Sequence, residues 1–421
     1  MESTQIDKLR QATRRRLAME VRKTLTGIRE GITAPLASMA YFYALFEDHF
    51  TRQTEHAHRL KKIGTLCLQV PEEFILAVGA EPLRLCSGSY AYDQVGSDFL
   101  PARSCALIKS TLGLLRLQEK DTQPDLIVIP ATCDQKRKTG ILLEEQALKI
   151  YMLELPARKD TANARQYWQN SIQELIVELQ KVTGKKITRK SLRRAMEITR
   201  SAREEFRRFS RFRKCQPALI SGRESFLVSN AYMIDQPESW TRALHHLNNE
   251  LDHRLASGTT VEKGTTARIL FTGSPPVFPN LKLPIMIEET GAVIVADEVC
   301  SSNRLLHDVP MYDESNLYDM IPAVADRYLK PCTCPCFVPN TNRKRRIAEM
   351  VNTYQISGVV YQAFSGCHLY EMEQKSMQKH LSEMNIPMLY IETDYSPEDA
   401  GQISTRVEAF VESIAVKSRR N

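Results

Sequence analysis

Short apolar runs that break into turns set the rhythm of this chain. Residues 126–129, LIVI, are apolar throughout and β-branched at three of four positions. Pro130 stops the run, and Thr132, Cys133 and Asp134 follow as a turn. A continuous apolar run bounded by a turn is the pattern of a buried parallel strand. The arrangement recurs at 291–297, GAVIVAD, which runs into Cys300, and at 357–364, SGVVYQAF, which runs into Cys367. The pattern predicts strands at 61–68, carrying Cys67, at 81–85, followed by Cys86, and at 125–129 and 149–155. A second set is predicted at 268–272, 291–297, 358–361 and 387–392.

Helical spacing fills much of the rest. Leu9, Leu17, Val21 and Leu25 share one helix face, and Ala34-Pro35 ends that pattern. Residues 37–50 are rich in aromatics (Tyr41, Phe42, Tyr43, Phe46, Phe50) and predict a helix packed on a lobe or on a second subunit. Pro71-Glu72-Glu73 opens a short amphipathic helix, with proline and acids where a helix start favours them, and Gly79 closes it. A helix over 101–114 begins around Cys105 and Lys109, where its dipole favours a thiolate. Residues 164–182 and 187–213 are polar helices, the second strongly basic and ending near Cys215. Helices at 281–289, 344–354, 370–384 and 403–416 alternate with the second set of strands.

Strands alternating with helices predict an α/β protein with parallel sheets in two lobes. The division is an N-terminal helical segment (1–60), a first α/β lobe (61–159), a helical insert or linker (160–266) and a second α/β lobe (267–421). A length of 421 residues agrees with more than one core. Charged residues make up 25% of the chain, and no apolar run approaches the ~20 residues of a membrane helix. The charged N-terminus is not followed by an apolar signal core, which points to the cytoplasm. A net charge of +7 comes largely from residues 14–16, 185–194 and 203–214, read as solvated helix faces. The aromatic and basic signature of a nucleic-acid module is absent, so no nucleic-acid or membrane partner is expected.

Ten cysteines change the picture, because structural disulfides are rare in a reducing compartment. Ligands of open α/β sheets gather beyond the carboxyl ends of the strands. Cys133, Cys300 and Cys367 are predicted to lie there alike, which suggests one metal centre. Structural zinc uses two close ligand pairs. Here only Cys332, Cys334 and Cys336 are close, in a loop over 331–340, and no histidine stands at finger spacing. Iron–sulfur clusters are held by thiolates that the fold can bring together from distant positions. Cys67, Cys105, Cys133, Cys300 and Cys367 are therefore favoured as ligands, whereas Cys86, Cys215 and Cys332 read as packing cysteines. Gly273-Ser274-Pro275-Pro276 lacks a dinucleotide fingerprint, and no Gly-Lys-Ser/Thr loop appears, so no direct ATP site is expected. Cys367-His368 as a catalytic pair lacks a third, orienting group. Glu72 and Glu73 are either a proton source near Cys67 or simple helix-start acids. Asp394-Tyr395 either lines the cleft or caps the closing helix.

Several motifs together carry a resemblance. Cys67 with Pro71-Glu72, Cys105 with Ile108-Lys109, and Cys133-Asp134 with Lys136 and Lys138 are the first group. The stretches 271–275 and 291–300, Gly358-Val359-Val360 leading to Cys367-His368, and 391–396 follow. Gln402, Ser404-Thr405-Arg406 and Ala409-Phe410 complete the set. From Lys61 onward the chain resembles the 2-hydroxyacyl-CoA dehydratase and benzoyl-CoA reductase family, and within it the double-cubane cluster proteins. The resemblance implies two Rossmann-like lobes around an iron–sulfur cluster, and a separate ATP-hydrolysing iron–sulfur activator that injects low-potential electrons. It further implies a homodimer and a double-cubane [8Fe-9S] cluster, two [4Fe-4S] units bridged by sulfide. Six thiolates would serve that cluster: Cys67, Cys105, Cys133, Cys300, Cys367 and either Cys334 or Cys336. The implied reaction is reduction of small molecules, with the physiological substrate and the proton-delivering residues not fixed by the resemblance. Two alternatives are a 2-hydroxyacyl-CoA dehydratase subunit with one [4Fe-4S] cluster, and an electron-storage or scaffold protein without its own substrate.

The placement of the thiols predicts that Cys133→Ala lowers the iron content of anaerobically purified protein, while Cys215→Ala leaves it unchanged. Equal loss in both variants would remove any meaning from the strand-end positions.

Overall fold

The computed structural model describes residues 3–32, 34–51, 60–261, 266–308 and 316–420. Its strands form two all-parallel, four-stranded sheets. The first sheet holds β1 (Lys62–Thr65), β2 (Glu81–Arg84), β3 (Leu126–Pro130) and β4 (Ile150–Leu153), in the order β2-β1-β3-β4. The second holds β5 (Arg268–Gly273), β6 (Val293–Glu298), β7 (Gly358–Phe364) and β8 (Met388–Thr393), in the order β6-β5-β7-β8. The topology repeats even though the sequences of the two lobes do not. β3, β5, β6 and β7 are buried along their whole length, which is why they read as largely apolar runs.

The two-lobe α/β expectation holds, and each predicted strand is found with shifted ends. The strand predicted at 61–68 stops at Thr65, leaving Cys67 in a bend beyond it. The strand predicted at 358–361 continues to Phe364, because Gln362, Ala363 and Phe364 keep pairing with β8. Four helices escape the periodicity: Tyr90–Ser97, Asp134–Glu144, the four-residue Asn303–Leu306 and Leu317–Leu329. The first is short and contains Gly96, and the last carries Pro322 in its interior. Between the sheets run the helices Ala162–Thr183, Arg189–Lys214, Gly222–Ala231 and Pro237–Ser257. No helix among the described residues is long and apolar enough to cross a membrane.

The N-terminal helix Ser3–Arg29 buries Leu17, Val21 and Leu25 but leaves Leu9 half-exposed. It touches both lobes. The Glu20 carboxylate accepts from the Ala91 amide at 2.7 Å at the start of the helix Tyr90–Ser97, and Thr24 donates to the Pro279 carbonyl at 2.7 Å. On the helix Met39–Thr51, Met39, Phe42, Tyr43 and Phe46 are buried, and the rings of Phe46 and Phe278 are 4.2 Å apart. These aromatics pack on a lobe of the same chain. The rest of the 1–60 segment, residues 52–59, lies outside the described residues.

The basic run at 203–214 requires a correction, since it is not simply a solvated face. Arg203 and Arg213 are almost wholly buried, 0% and 2% exposed. Arg203 reaches the first lobe, pairing with Glu73 at 2.7 Å and Glu72 at 3.0 Å. Tyr328 donates to Glu73 at 2.7 Å, and Tyr232 donates to Glu72 at 3.0 Å. Arg213 reaches the second lobe and pairs with Asp297, near the end of β6, at 2.6 Å. The two arginines lie ten residues apart on one helix, an axial distance of about 15 Å. Their buried positions follow from the acids facing them, which a count of charges along the chain does not reveal. Glu72 and Glu73 do open the helix Glu72–Ala77 as helix-start acids, but both are buried and paired with Arg203. Burial opposes the Glu73 charge, but Arg203, Arg327 and the Tyr328 hydroxyl outweigh it and hold its carboxyl down at about 2.

Removing one partner of a buried pair leaves the other charge uncompensated, so Arg203→Ala should cost about 3–5 kcal/mol of stability. The Glu73 contribution is complete above its ordinary value of 4.5 and is lost as pH falls through about 2. Urea midpoints between pH 7 and pH 3 test both points. The wild-type advantage should shrink toward the acid end, and a variant as stable as wild type at pH 7 would contradict it.

Candidate metal centre

Because every strand is parallel, the carboxyl ends of each sheet share one edge. Cys67 follows β1 by two residues, Cys86 follows β2 by two, and Cys133 follows β3 by three. The order β2-β1-β3 sets these three positions side by side. In the other lobe Cys300 follows β6 by two residues and Cys367 follows β7 by three. Cys105, Cys133 and Cys367 also occupy the N-cap positions of the helices Ala106–Leu117, Asp134–Glu144 and His368–Glu383. Three helix N-termini therefore present partial positive charge at these thiols.

The edges of the two lobes meet. Cys105 and Cys367 pack in one cluster across the seam. Gln135 stitches the same place, accepting from the Cys105 amide at 2.8 Å and donating to the Gly366 carbonyl at 2.7 Å. Gly366 has φ +79°, and a Cβ there would lie 1.8 Å from the Arg103 carbonyl oxygen. A second contact of this kind is Gly88, where a Cβ would lie 1.7 Å from the Val277 carbonyl oxygen. Only glycine permits such approaches.

The loop with Cys332, Cys334 and Cys336 is fastened to the end of β6 by Glu298, which is fully buried. Its carboxylate takes two bonds from Arg304, each 2.5 Å, and further bonds from Arg343 and from Thr333 within the loop. Asn340 donates to the Cys334 carbonyl at 2.8 Å, and Gln69 of the first lobe donates to the Cys332 sulfur at 2.6 Å. Arg304 also donates to the Tyr370 hydroxyl at 2.8 Å.

Every cysteine except Cys215 belongs to one electrostatic network. Burial raises the Cys300 thiol, and Cys67, Cys334 and Cys86 raise it further against the pull of Arg304. Burial likewise raises Cys133, with Cys367 and Cys67 adding to it and Lys136 opposing. Lys136 lies among the thiols and donates to Thr132 at 2.9 Å. Burial disfavours its ammonium, but Cys67, Cys133, Cys86 and Cys334 win and hold its pKa above the ordinary range. Cys334 is held low by the hydrogen bond from Cys336, against burial, with help from Arg304 and Lys136. Cys215 instead contacts its own helix, 3.6 Å from the Arg211 carbonyl.

Cys67, Cys105, Cys133, Cys300, Cys334, Cys336 and Cys367 are thus brought to one region. Cys86 and Cys332, read from sequence only as packing residues, are placed there too. Cys332 does also pack in the core, at 7% exposure. Among the described residues no three His, Cys, Asp or Glu side chains converge closely enough to hold a single metal ion. The His368 side chain is 79% exposed and pairs with Glu371 at 3.4 Å, pointing away from any role beside Cys367. Asp394 accepts from the Ser396 amide at 2.7 Å, while Tyr395 is buried against Cys105. Sequence reasoning missed Gln69, Gln135, Glu298 and Arg304. Of these, Glu298 had a signal, since an acid ending an apolar strand must find buried partners.

A match to the 2-hydroxyglutaryl-CoA dehydratase D-component family spans residues 67–414. The chain belongs to that family. Among its relatives, YjiM of Escherichia coli (strain K12), named as a dehydratase subunit, is 30% identical over 84% of this chain and 91% of its own length. The beta subunit of (R)-2-hydroxyglutaryl-CoA dehydratase from Acidaminococcus fermentans is 24% identical over 84% of this chain and 92% of its own length. A benzoyl-CoA reductase subunit from Thauera aromatica is 25% identical over 89% of this chain and 97% of its own length. The family match begins at Cys67 and takes in every other cysteine.

Glu298→Gln weakens the charge-assisted bonds that hold Thr333, each worth about 1.5–3 kcal/mol. Alkylation of Cys334 and Cys336 in reduced, metal-free protein should quicken about tenfold, while Cys215 reacts at its former rate. Unchanged rates at both loop cysteines would show that the loop does not depend on Glu298.

Proposed function

We propose that this chain is the cluster-bearing component of a low-potential reductase. It would hold a double-cubane [8Fe-9S] cluster through Cys67, Cys105, Cys133, Cys300, Cys367 and one of Cys334 or Cys336. A separate ATP-hydrolysing iron–sulfur activator would supply the electrons, and a small molecule would receive them. The working form would be a cytoplasmic homodimer.

One observation carries this reading: thiols from both lobes meet at the facing strand ends. A polynuclear cluster takes its thiolates on different irons, so its ligands stand apart, unlike those of one zinc ion. The donor set suits such a group. It is rich in sulfur, drawn from both sides of a seam, and bordered by Lys136, Arg304 and three helix N-termini that offset thiolate charge. When bound, the cluster would supply one-electron chemistry at a potential set by charge, hydrogen bonding and burial. The chain's own residues do the rest. Glu298 fixes the Cys334 and Cys336 loop, Gln135 holds the seam, and the Arg203 and Arg213 pairs fix the lobes.

A second reading, a 2-hydroxyacyl-CoA dehydratase subunit with one [4Fe-4S] cluster, is favoured by the names of the relatives. Cys86 lines a cavity of about 320 Å³ together with Arg84, His49, Phe50 and Phe278, which offers such a subunit room beside the thiols. Iron and sulfide analysis of anaerobically purified protein separates the readings. About eight irons per chain are expected for the double cube and about four for the dehydratase. Iron-free protein from a strictly anaerobic preparation would defeat both.

A further inference from the structure

Tyr395 lies two residues beyond β8, is 3% exposed, and has a buried hydroxyl with no hydrogen-bond partner among the described residues. An unbonded buried hydroxyl costs about 1–3 kcal/mol, so such a group normally faces water or a ligand. Its ring is held firmly. It packs with Cys105, Ala106 and Ile108, and meets Phe364 edge-on at 5.1 Å. After burial itself, the groups that most raise its phenol are Cys105, Cys86, Asp93 and Cys300. Three of these four are thiols, drawn from both lobes. The fourth, Asp93, pairs with Lys109 at 3.4 Å and does not receive the hydroxyl. On another side Tyr395 borders a cavity of about 510 Å³, lined also by Glu20, Tyr90 and Lys282. The residue therefore stands between a cavity and the cysteines, with a rigid ring and an unused donor.

We propose that the Tyr395 hydroxyl donates a hydrogen bond to the iron–sulfur group held by these cysteines, to a sulfide or a ligand thiolate, and thereby raises its reduction potential. This rests on the cluster reading above. Sulfur in the reduced cluster carries more negative charge, so a donor stabilises that form more than the oxidised one. Tyr395 acts here as a positioning and tuning residue, not as a proton source.

The test uses holoprotein purified without oxygen, with redox titration followed by electron paramagnetic resonance and visible absorbance. Tyr395→Phe keeps the ring and removes only the donor. It should keep wild-type iron and move the midpoint to more negative potential. An expected shift of about tenfold in the oxidised-to-reduced ratio equals ~59 mV for a one-electron couple. Tyr43→Phe removes another unbonded buried hydroxyl, one whose charged neighbours are Glu224, Arg29 and Arg223, and should leave the midpoint unchanged. Wild-type iron with an unmoved midpoint in Tyr395→Phe would overturn the proposal, as would equal shifts in both variants. Wild-type protein lacking iron would overturn it by removing the cluster reading itself, a result read before any variant is made.

Discussion

Two buried arginines on one helix set the geometry on which the rest of this protein relies. Arg203 is anchored in the acids of the first lobe, and Arg213 in Asp297 of the second. Burying a guanidinium is expensive unless its partners are placed well, so these pairs do more for specificity of position than for net stability. A helix is stiff along its axis, and two anchors on it therefore fix one lobe relative to the other. The consequence reaches the thiols, since Asp297 and Glu298 end the strand that leads into Cys300. The ion pairs that place the lobes and those that place the cysteine loop thus share a strand end.

The centre is built by topology before it is built by side chains. Parallel strands bring distant segments to one edge, and the repeated strand order makes two such edges of similar form. Cysteines just past the strands then need no local motif to come together. The helices that follow β3 and β7 start at Cys133 and Cys367, so each thiol meets a favourable dipole at the point where its chain turns. Lys136 and Arg304 supply full charges to the same region. This economy suits a family whose members are named as subunits of dehydratases and of a reductase.

Much of the fold was legible because β3, β5, β6 and β7 are buried along their length and therefore read as largely apolar runs. Their carboxyl ends, and with them Cys133, Cys300 and Cys367, could be placed from sequence, whereas Cys67 was read inside a strand that stops two residues before it. Cys105 was legible as a helix start. Other parts were not. Cys86 follows an edge strand, and its nearness to Cys67 depends on β2 pairing with β1, which no single run of residues discloses. Gln135 matters only because the lobes dock, and Arg203 looks like any other charge in a basic helix until Glu72 and Glu73 face it. Leu317–Leu329 was hidden by Pro322, although its Tyr328 completes the acid cluster. Local pattern reveals elements, whereas Gln135, Arg203 and Tyr328 take their meaning from contacts more than a hundred positions away along the chain.

Gly366 and Gly88 give the seam a minimum thickness. Backbone meets backbone there with no room for a single extra carbon, so the lobes already stand at their closest approach. A pair of hands that cannot close further works as a calliper. The approach of the two lobes at their facing strand ends is set by peptide atoms, not by adjustable side chains. A guest held between them would meet a frame of fixed span, so drift in outer loops and helices should leave that span untouched while any methyl at the seam would pry it open.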